Sequence, residues 1–248
     1  MATVKETVES GITPIVLDFA LVEFFEKKEK ILRSFLTVNS LDLGVLTYRQ
    51  YRFVARRTRQ GNHLVRRHLQ KLFRIIPALQ EQRPEISAFT VPVYARLLKD
   101  GELAGMLVDF ISLYPEVPAS KICIELSADI LYEDVAAARE RIEELREMGV
   151  KIAICEVGDE FCPVFRLAEI PFDYAFIDEF ATASLDREDS DRVAGSLVKY
   201  LHYLRVPVIA PGLDTEEKIA CAKRVGCDGY TLFEGEAVFA EGGVSADE

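Results

Sequence analysis

The chain has 248 residues, 49% of them hydrophobic, with 14 glycines and 10 prolines, enough to bury a full core as one large domain or two small ones. No apolar run approaches the ~18 to 20 residues of a membrane span, and the opening MATVKETVES lacks the basic and apolar pattern of an export signal, so the expected setting is the cytoplasm. A formal net charge of −11 argues against general nucleic-acid binding.

Residues 1–12 read as an N-terminal tail, 13–240 as a single domain and 241–248 as a frayed C-terminal tail. Within the domain, short apolar runs alternate with helical patterns. The predicted strands are TPIVLD (13–18), ILRSFLTV (31–38), ISAFTVPV (86–93), KICIEL (121–126), KIAICE (151–156), YAFID (174–178), VPVIA (206–210) and GYTLF (229–233). Continuous apolar strands of this kind are expected where both faces of a parallel sheet are covered. The clearest helix is DVAAARERIEELREMG, with Val135, Ala138, Ile142, Leu145 and Met148 on one stripe and Gly149 at its end. A second helix follows the capping pair Asp214-Thr215 and stops at Gly226. Only about a dozen residues separate the first two strands, too few for a comfortable crossover helix, so that pair is expected to be antiparallel. The rhythm is that of a (β/α)8 barrel of the TIM-like kind. A doubly wound open sheet is the alternative, but no GxGxxG follows the first strand.

The five cysteines, Cys123, Cys155, Cys162, Cys221 and Cys227, form no CxxC pair and are read as reduced. His63, His68 and His202 are not spaced with them as zinc ligands are. Charge is uneven along the chain. From Leu43 to Gln80 there is no acidic residue, while Arg49, Arg52, Arg56, Arg57, Arg59, Arg66, Arg67, Lys71 and Arg74 crowd the segment 49–74. The ordinary reading is a solvated helical face. The sharper one is a docking face for an acidic protein, a nucleotide or RNA, with Arg56, Arg57, Arg66 and Arg67 as the partner-binding candidates.

In a barrel the chemistry sits at the carboxyl ends of the strands. Those ends carry Phe35, Pro92, Glu125, Cys155 with Glu156, Phe176 with Asp178, Pro211 and Thr231. Glu125, Glu156 and Asp178 are the weak candidates for holding a cation, but the phenylalanines, prolines and cysteine around them are not hard-metal ligands. The plainer reading of the three acids is solvated or paired carboxylates left at the barrel rim.

The segment ICEVGDEFCPVFRLAEIPFDYAFID (154–178) resembles the EAL domain, the barrel family of cyclic di-GMP phosphodiesterases. It follows, without a gap, the family's D-D-F-G turn, short loop, L-P-x-D and K-I-D, with Gly158, Leu167, Pro171, Asp173, Ile177 and Asp178 in place. KICIELS resembles the family's L-E-I-T-E strand, VPVIAPGLDTEEKIACAKRVGCD its V-I-A-E-G-V-E-T stretch, and TPIVLD its opening Q-P-I-V strand. The basic segment falls where the family has its first large helix. The resemblance implies a barrel of EAL type and a largely dismantled site. FLTVN stands at the E-A-L-L-R signature, which puts Phe35 at the metal-binding Glu and Asn39 at the substrate-contacting Arg. Pro92 replaces a ligand Asn, Cys155 and Glu156 replace the D-D pair, and Phe176 replaces the essential Lys. Pro211 stands at the Glu of A-E-G, Asp214 at a later Glu and Thr231 at a Gln, while Glu125 and Asp178 survive.

Family members use a pair of divalent cations to activate water and neutralise developing charge. Of the four direct protein ligands the resemblance implies for one metal, only Glu125 remains an oxygen donor. Cys155 is a soft ligand, and the prolines offer no side-chain donor. Each such loss costs on the order of 10² to 10³ in rate. The expectation is therefore a degenerate domain with no catalytic residue and no cofactor, magnesium or manganese entering only if the site is active after all. Phe35 and Phe176 are expected to fill the vacated pocket, the competing view being that they stack a guanine. The expected role is cytoplasmic signalling or regulation through a protein partner, with a homodimer through GDEFCP (158–163) as a further expectation. One alternative is a receptor that binds cyclic di-GMP without hydrolysing it, against which the missing phosphate donors count. Another is an active phosphodiesterase with an atypical metal such as zinc on Cys155.

Overall fold

The computed structural model describes residues 15–232 except 41, 42, 59, 133 and 186. Both expected tails, and the expected domain ends 13–14 and 233–240, lie outside the described residues. The apolar runs become β1 (Ile15–Phe24), β2 (Lys30–Ser40), β4 (Ile86–Val93), β5 (Ile122–Ser127), β6 (Lys151–Val157), β7 (Tyr174–Ile177), β8 (Val208–Leu213) and β9 (Gly229–Leu232), joined by a short β3 (Gly44–Leu46). Neighbours run β1-β9-β8-β7-β6-β5-β4-β2-β3, and a further β1–β2 pairing closes eight strands into a barrel with β3 hanging outside on β2. As expected, β1 and β2 are antiparallel, in register Ile15↔Val38 to Glu23↔Lys30. β1 is antiparallel to β9 as well, whereas β2, β4 and the later barrel strands pair in parallel.

The helices are α1 (Tyr48–Arg57), α2 (Gln60–Gln82), α3 (Ala95–Lys99), α4 (Glu102–Leu113), α5 (Val135–Glu147), α6 (Glu179–Ala183), α7 (Glu188–Tyr203) and α8 (Glu216–Val225). Helix α5 buries Val135, Ala138, Ile142 and Leu145, and the Asp134 carboxylate accepts the N–H groups of Ala136 and Ala137. Helix α8 starts on Thr215, whose hydroxyl accepts the Lys218 N–H at 3.2 Å, and ends at Gly226 in the left-handed region, φ 101°. No helix of the described residues is long and apolar enough to cross a membrane.

Two findings differ from the expectation. The first strand runs ten residues, through the polar Asp18 and Glu23, because Thr37 donates to Asp18 and Lys30 and Tyr230 donate to Glu23 from the neighbouring strands. The basic segment is two helices. Thr58 is extended at φ −117°, ψ 149°, and Gly61 sits so close that an added Cβ would lie 2.5 Å from the Ala55 carbonyl oxygen.

Burial sorts the apolar residues into two layers. The larger cluster lies between the barrel and its helices, built from residues such as Leu17, Leu72, Phe73, Phe89, Ile124 and Ile152. The smaller fills the barrel itself with Val22, Phe24, Ile31, Ala88, Cys123, Ala153, Tyr174, Phe176 and Ile209, one strand position in two, as alternation requires. The inner layer stops short of the carboxyl ends, where charged residues take over.

Candidate functional site

Alternation along β2 sends Arg33 into the barrel one step above Ile31, and along β5 sends Glu125 inward one step above Cys123. There they meet as a fork: Arg33 Nε donates to Glu125 Oε1 and Nη2 to Oε2, both at 2.8 Å, the two-point geometry that makes arginine–carboxylate pairs strong. The guanidinium lies 4.2 Å from the Phe176 ring centre and 5.0 Å from that of Phe35, so aromatic faces shield its open sides. Arg33 is 7% exposed and Glu125 5%. Burial pushes the Glu125 carboxyl up, but the Arg33 charge and its hydrogen bonds outweigh this and hold it below the ordinary carboxylate value. Cys155 donates its thiol to Glu125 Oε2 at 3.3 Å, and burial, with Glu125 beside it, drives the thiol well above its usual range, the opposite of a reactive or metal-binding thiolate. The space left in the mouth is about 60 Å³, bounded by Arg33, Tyr48, Pro92, Glu125, Phe176 and Pro211 among others. Small-molecule sites run from ~300 Å³ upward.

The second acid is clamped from outside. Glu156 takes φ 61° at the end of β6 and Gly158 follows at φ 96°, a left-handed turn that glycine alone adopts freely. Arg56 donates to both carboxylate oxygens of Glu156 at 2.9 and 2.7 Å, Arg52 pairs with Oε1 at 2.7 Å, and Ser127 donates to Oε2. Burial raises the Glu156 carboxyl, yet Arg56, Ser127 and Arg52 together bring it below its ordinary value. Helix α1 is fixed over the mouth by this clamp and by Arg49, which donates to Glu179 of α6. The third acid, Asp178, caps α6 by accepting the Phe180 N–H at 2.8 Å; burial raises its carboxyl.

Most of the expected site residues therefore do converge. Pro92, Glu125, Cys155, Glu156, Phe176, Asp178 and Pro211 line the mouth, and Phe35 reaches it through Arg33. Asn39 instead pairs with Val45 in the β2–β3 hairpin. Asp214 forms an ion pair with Lys218 at 2.9 Å outside it, and Thr231 accepts the Gly212 N–H at 3.1 Å. Of the reading of the three acids as solvated or paired carboxylates, Glu125 is the paired kind, buried in the mouth at 5% exposure against Arg33. Of the basic candidates, Arg56 faces the mouth, Arg57 and Arg66 are exposed, and Arg67 is half-buried. Sequence reasoning missed Arg33, Arg49, Arg52, Ser127 and Glu179. A signal for Arg33 was present: a lone charge in an apolar strand needs a partner of opposite sign, and Glu125 is the matching lone charge in KICIELS.

This donor set does not fit a magnesium or manganese ion. Such ions want several free oxygen ligands in near-octahedral array, whereas Glu125 is saturated by Arg33, Glu156 by two arginines and a serine, and Asp178 caps a helix. Among the described residues no group of three or more His, Cys, Asp or Glu side chains is gathered as a metal site.

The EAL domain family model matches residues 28–231. An uncharacterised signalling protein of Caulobacter vibrioides is 27% identical over 117 residues, 46% of this chain and 14% of that protein, so the chain spans only a small part of that relative. Among solved structures, the MucR phosphodiesterase in complex with c-di-GMP superposes with a TM-score of 0.82 at 18% identity, covering 97% of each chain. The FimX EAL domain of Pseudomonas aeruginosa bound to c-di-GMP gives 0.76 at 15% identity, covering 92% of this chain and 91% of that one.

Proposed function

The chain belongs to the EAL domain family, and from that membership together with the filled barrel mouth we propose that it is a non-hydrolysing member that acts in cytoplasmic signalling by binding another protein. The observation that carries this reading is the Arg33–Glu125 fork under Phe35 and Phe176. A guanidinium stands in the barrel centre as the counter-charge to the one acid that the resemblance leaves as a metal ligand. Unlike a divalent cation, it has no open coordination position and polarises no water. The space of about 60 Å³ counts against a cyclic dinucleotide in the mouth, and the loss of metal ligands that the resemblance implies would remove more transition-state stabilisation than any single remaining donor supplies.

The test is titration calorimetry of the purified protein with cyclic di-GMP in the presence of magnesium or manganese, followed by chromatography of the mixture for linear product. Silence in both is the expected result. Heat without product replaces this reading with that of a receptor, and product overturns it altogether.

A further inference from the structure

Helix α1 supplies one wall of the barrel mouth through Tyr48, Arg52 and Arg56, yet little of it is packed. Of its ten residues Tyr51 and Ala55 are the buried ones, and Tyr51 Oη donates to the Leu36 carbonyl at 2.8 Å. Arg49, Arg52 and Arg56 share one helix face at spacings of three and four. Their carboxylate partners sit at three places around the mouth: Glu179 of α6, Glu156 at the end of β6, and Asp129 in the turn after β5, 3.8 Å from Arg56. Water reaches this set, since the Arg49 and Glu179 side chains are 34% and 31% exposed. At its end α1 is not continuous with α2. Thr58 is extended, its carbonyl accepts the Gly61 N–H at 3.2 Å, and the close approach of Gly61 to Ala55 pins the two helices together at that corner.

We propose that α1 is a lid held down by an ionic latch, which lifts from the mouth as a unit about the Thr58 corner while the barrel beneath stays folded. Local opening is easiest where buried apolar contacts are few, and α1 has two buried residues where the barrel strands have continuous burial and closed ladders. Partly exposed ion pairs are weak singly and screened by salt, so the latch releases before the fold does. Lifting takes Tyr48 off the Phe35 ring, 5.6 Å away between centres, and opens the space above the Arg33–Glu125 fork to solvent. The lid goes beyond the protein-binding reading and does not require it: access to the mouth becomes a property of how α1 is held.

Cys155 reports the lid from within the chain. It lines the mouth beside the clamped Glu156, where the space of about 60 Å³ is too small for a maleimide while α1 is down. Cys123, 0% exposed in the barrel interior, and Cys221, 1% exposed in α8, report opening of the fold as a whole. The experiment is N-ethylmaleimide labelling of the full chain under native conditions, followed cysteine by cysteine by peptide mass spectrometry. Raising sodium chloride from about 0.05 to about 0.5 M should speed Cys155 labelling about threefold or more relative to Cys123 and Cys221. At low salt, Arg49→Ala with Arg52→Ala should speed it about fivefold and flatten its salt dependence. Removing cations makes a nearby thiol harder to ionise, so charge alone would slow that labelling and only opening speeds it. A Cys155 rate in the parent protein that ignores salt, or that rises only in step with Cys123 and Cys221, overturns the proposal, and that measurement needs no substitution. A folded double variant that labels no faster than the parent overturns it as well.

Discussion

The centre of the barrel mouth and its outer rim are furnished with the same side-chain types, arginine, carboxylate and phenylalanine, and use them in opposite ways. At the centre the arginines are matched within the chain: Arg33 with Glu125, and Arg52 and Arg56 with Glu156. At the rim Arg57, Arg66, Phe53 and Phe161 face water. Desolvation explains the division. A buried ion left alone costs several kcal/mol, so burial favours pairing of the arginines, while an exposed pair is worth only about 0 to 1 kcal/mol and exerts no such pressure. What an EAL-type barrel is free to bind is therefore decided by which charges remain in water, more than by which residues border the mouth.

The sharpest way to break this comparison is at the centre. Arg33→Ala leaves Glu125 buried without a counter-charge and is expected to cost about 3 to 5 kcal/mol, read from urea denaturation at neutral pH. Replacing both partners, Arg33→Met with Glu125→Leu, should recover most of that loss because neither charge is then stranded. An equal loss in the single and double variants would mean that the fork packs space and does not balance charge.

The next effect is a pH dependence behind the mouth. His68 of α2 is buried, with Nε2 2.6 Å from Ser34 Oγ. Ser34 spends its only hydrogen on the Thr90 carbonyl, so the imidazole must donate from Nε2. Burial pushes the His68 pKa down from 6.5 to about 3. Between those values the unfolded chain binds a proton that the folded chain refuses, so stability is full above about pH 6.5 and falls by about 1.4 kcal/mol for each pH unit below it. Glu125 and Glu156 are lowered and not raised, so their contribution is lost only as pH falls below the usual carboxylate range. Burial raises Asp129 and Asp178, whose contributions grow as pH falls, so from pH 6.5 to 5 the loss of stability belongs to His68. Denaturation midpoints of His68→Gln should no longer fall with acid across that window, and an unchanged slope would assign it elsewhere.

These two sites also mark how far the sequence was legible. All eight apolar runs became barrel strands because continuous burial leaves a local trace, while β3, only GVL in length, has no periodicity to read. The identities at the mouth were legible through the resemblance, one strand end at a time. The pairing was not, because Arg33 and Glu125 lie 92 residues apart and meet only once the barrel closes. The same holds for the basic segment. Its sequence gives arginines at Arg52, Arg56 and Arg57, but only the seating of α1 over the mouth turns the first two toward Glu156 and leaves the third outside.

A smaller effect comes from the border between the regions. Glu156→Gln removes the shared counter-charge of Arg52 and Arg56 and is expected to cost about 1 to 2 kcal/mol, less than the central pair because the arginines keep partial access to water. Its distinguishing sign is local: amide hydrogen exchange in α1 should quicken more than exchange in β5 or β6, since the clamp holds that helix down. Uniform acceleration would place Glu156 with the central pair.

The smallest effect is the most telling for the rim. Arg57→Ala with Arg66→Ala removes two cations that have no ion-pair partner among the described residues. The chain becomes more acidic than −11, but the added repulsion acts through water and salt and is screened over about 10 Å at 0.1 M ionic strength. Stability should stay within about 0.5 kcal/mol of the parent, as for most surface substitutions away from buried pairs. A loss above about 1 kcal/mol would show that folding itself depends on these arginines, and the division between a sealed centre and an available rim would have to be redrawn.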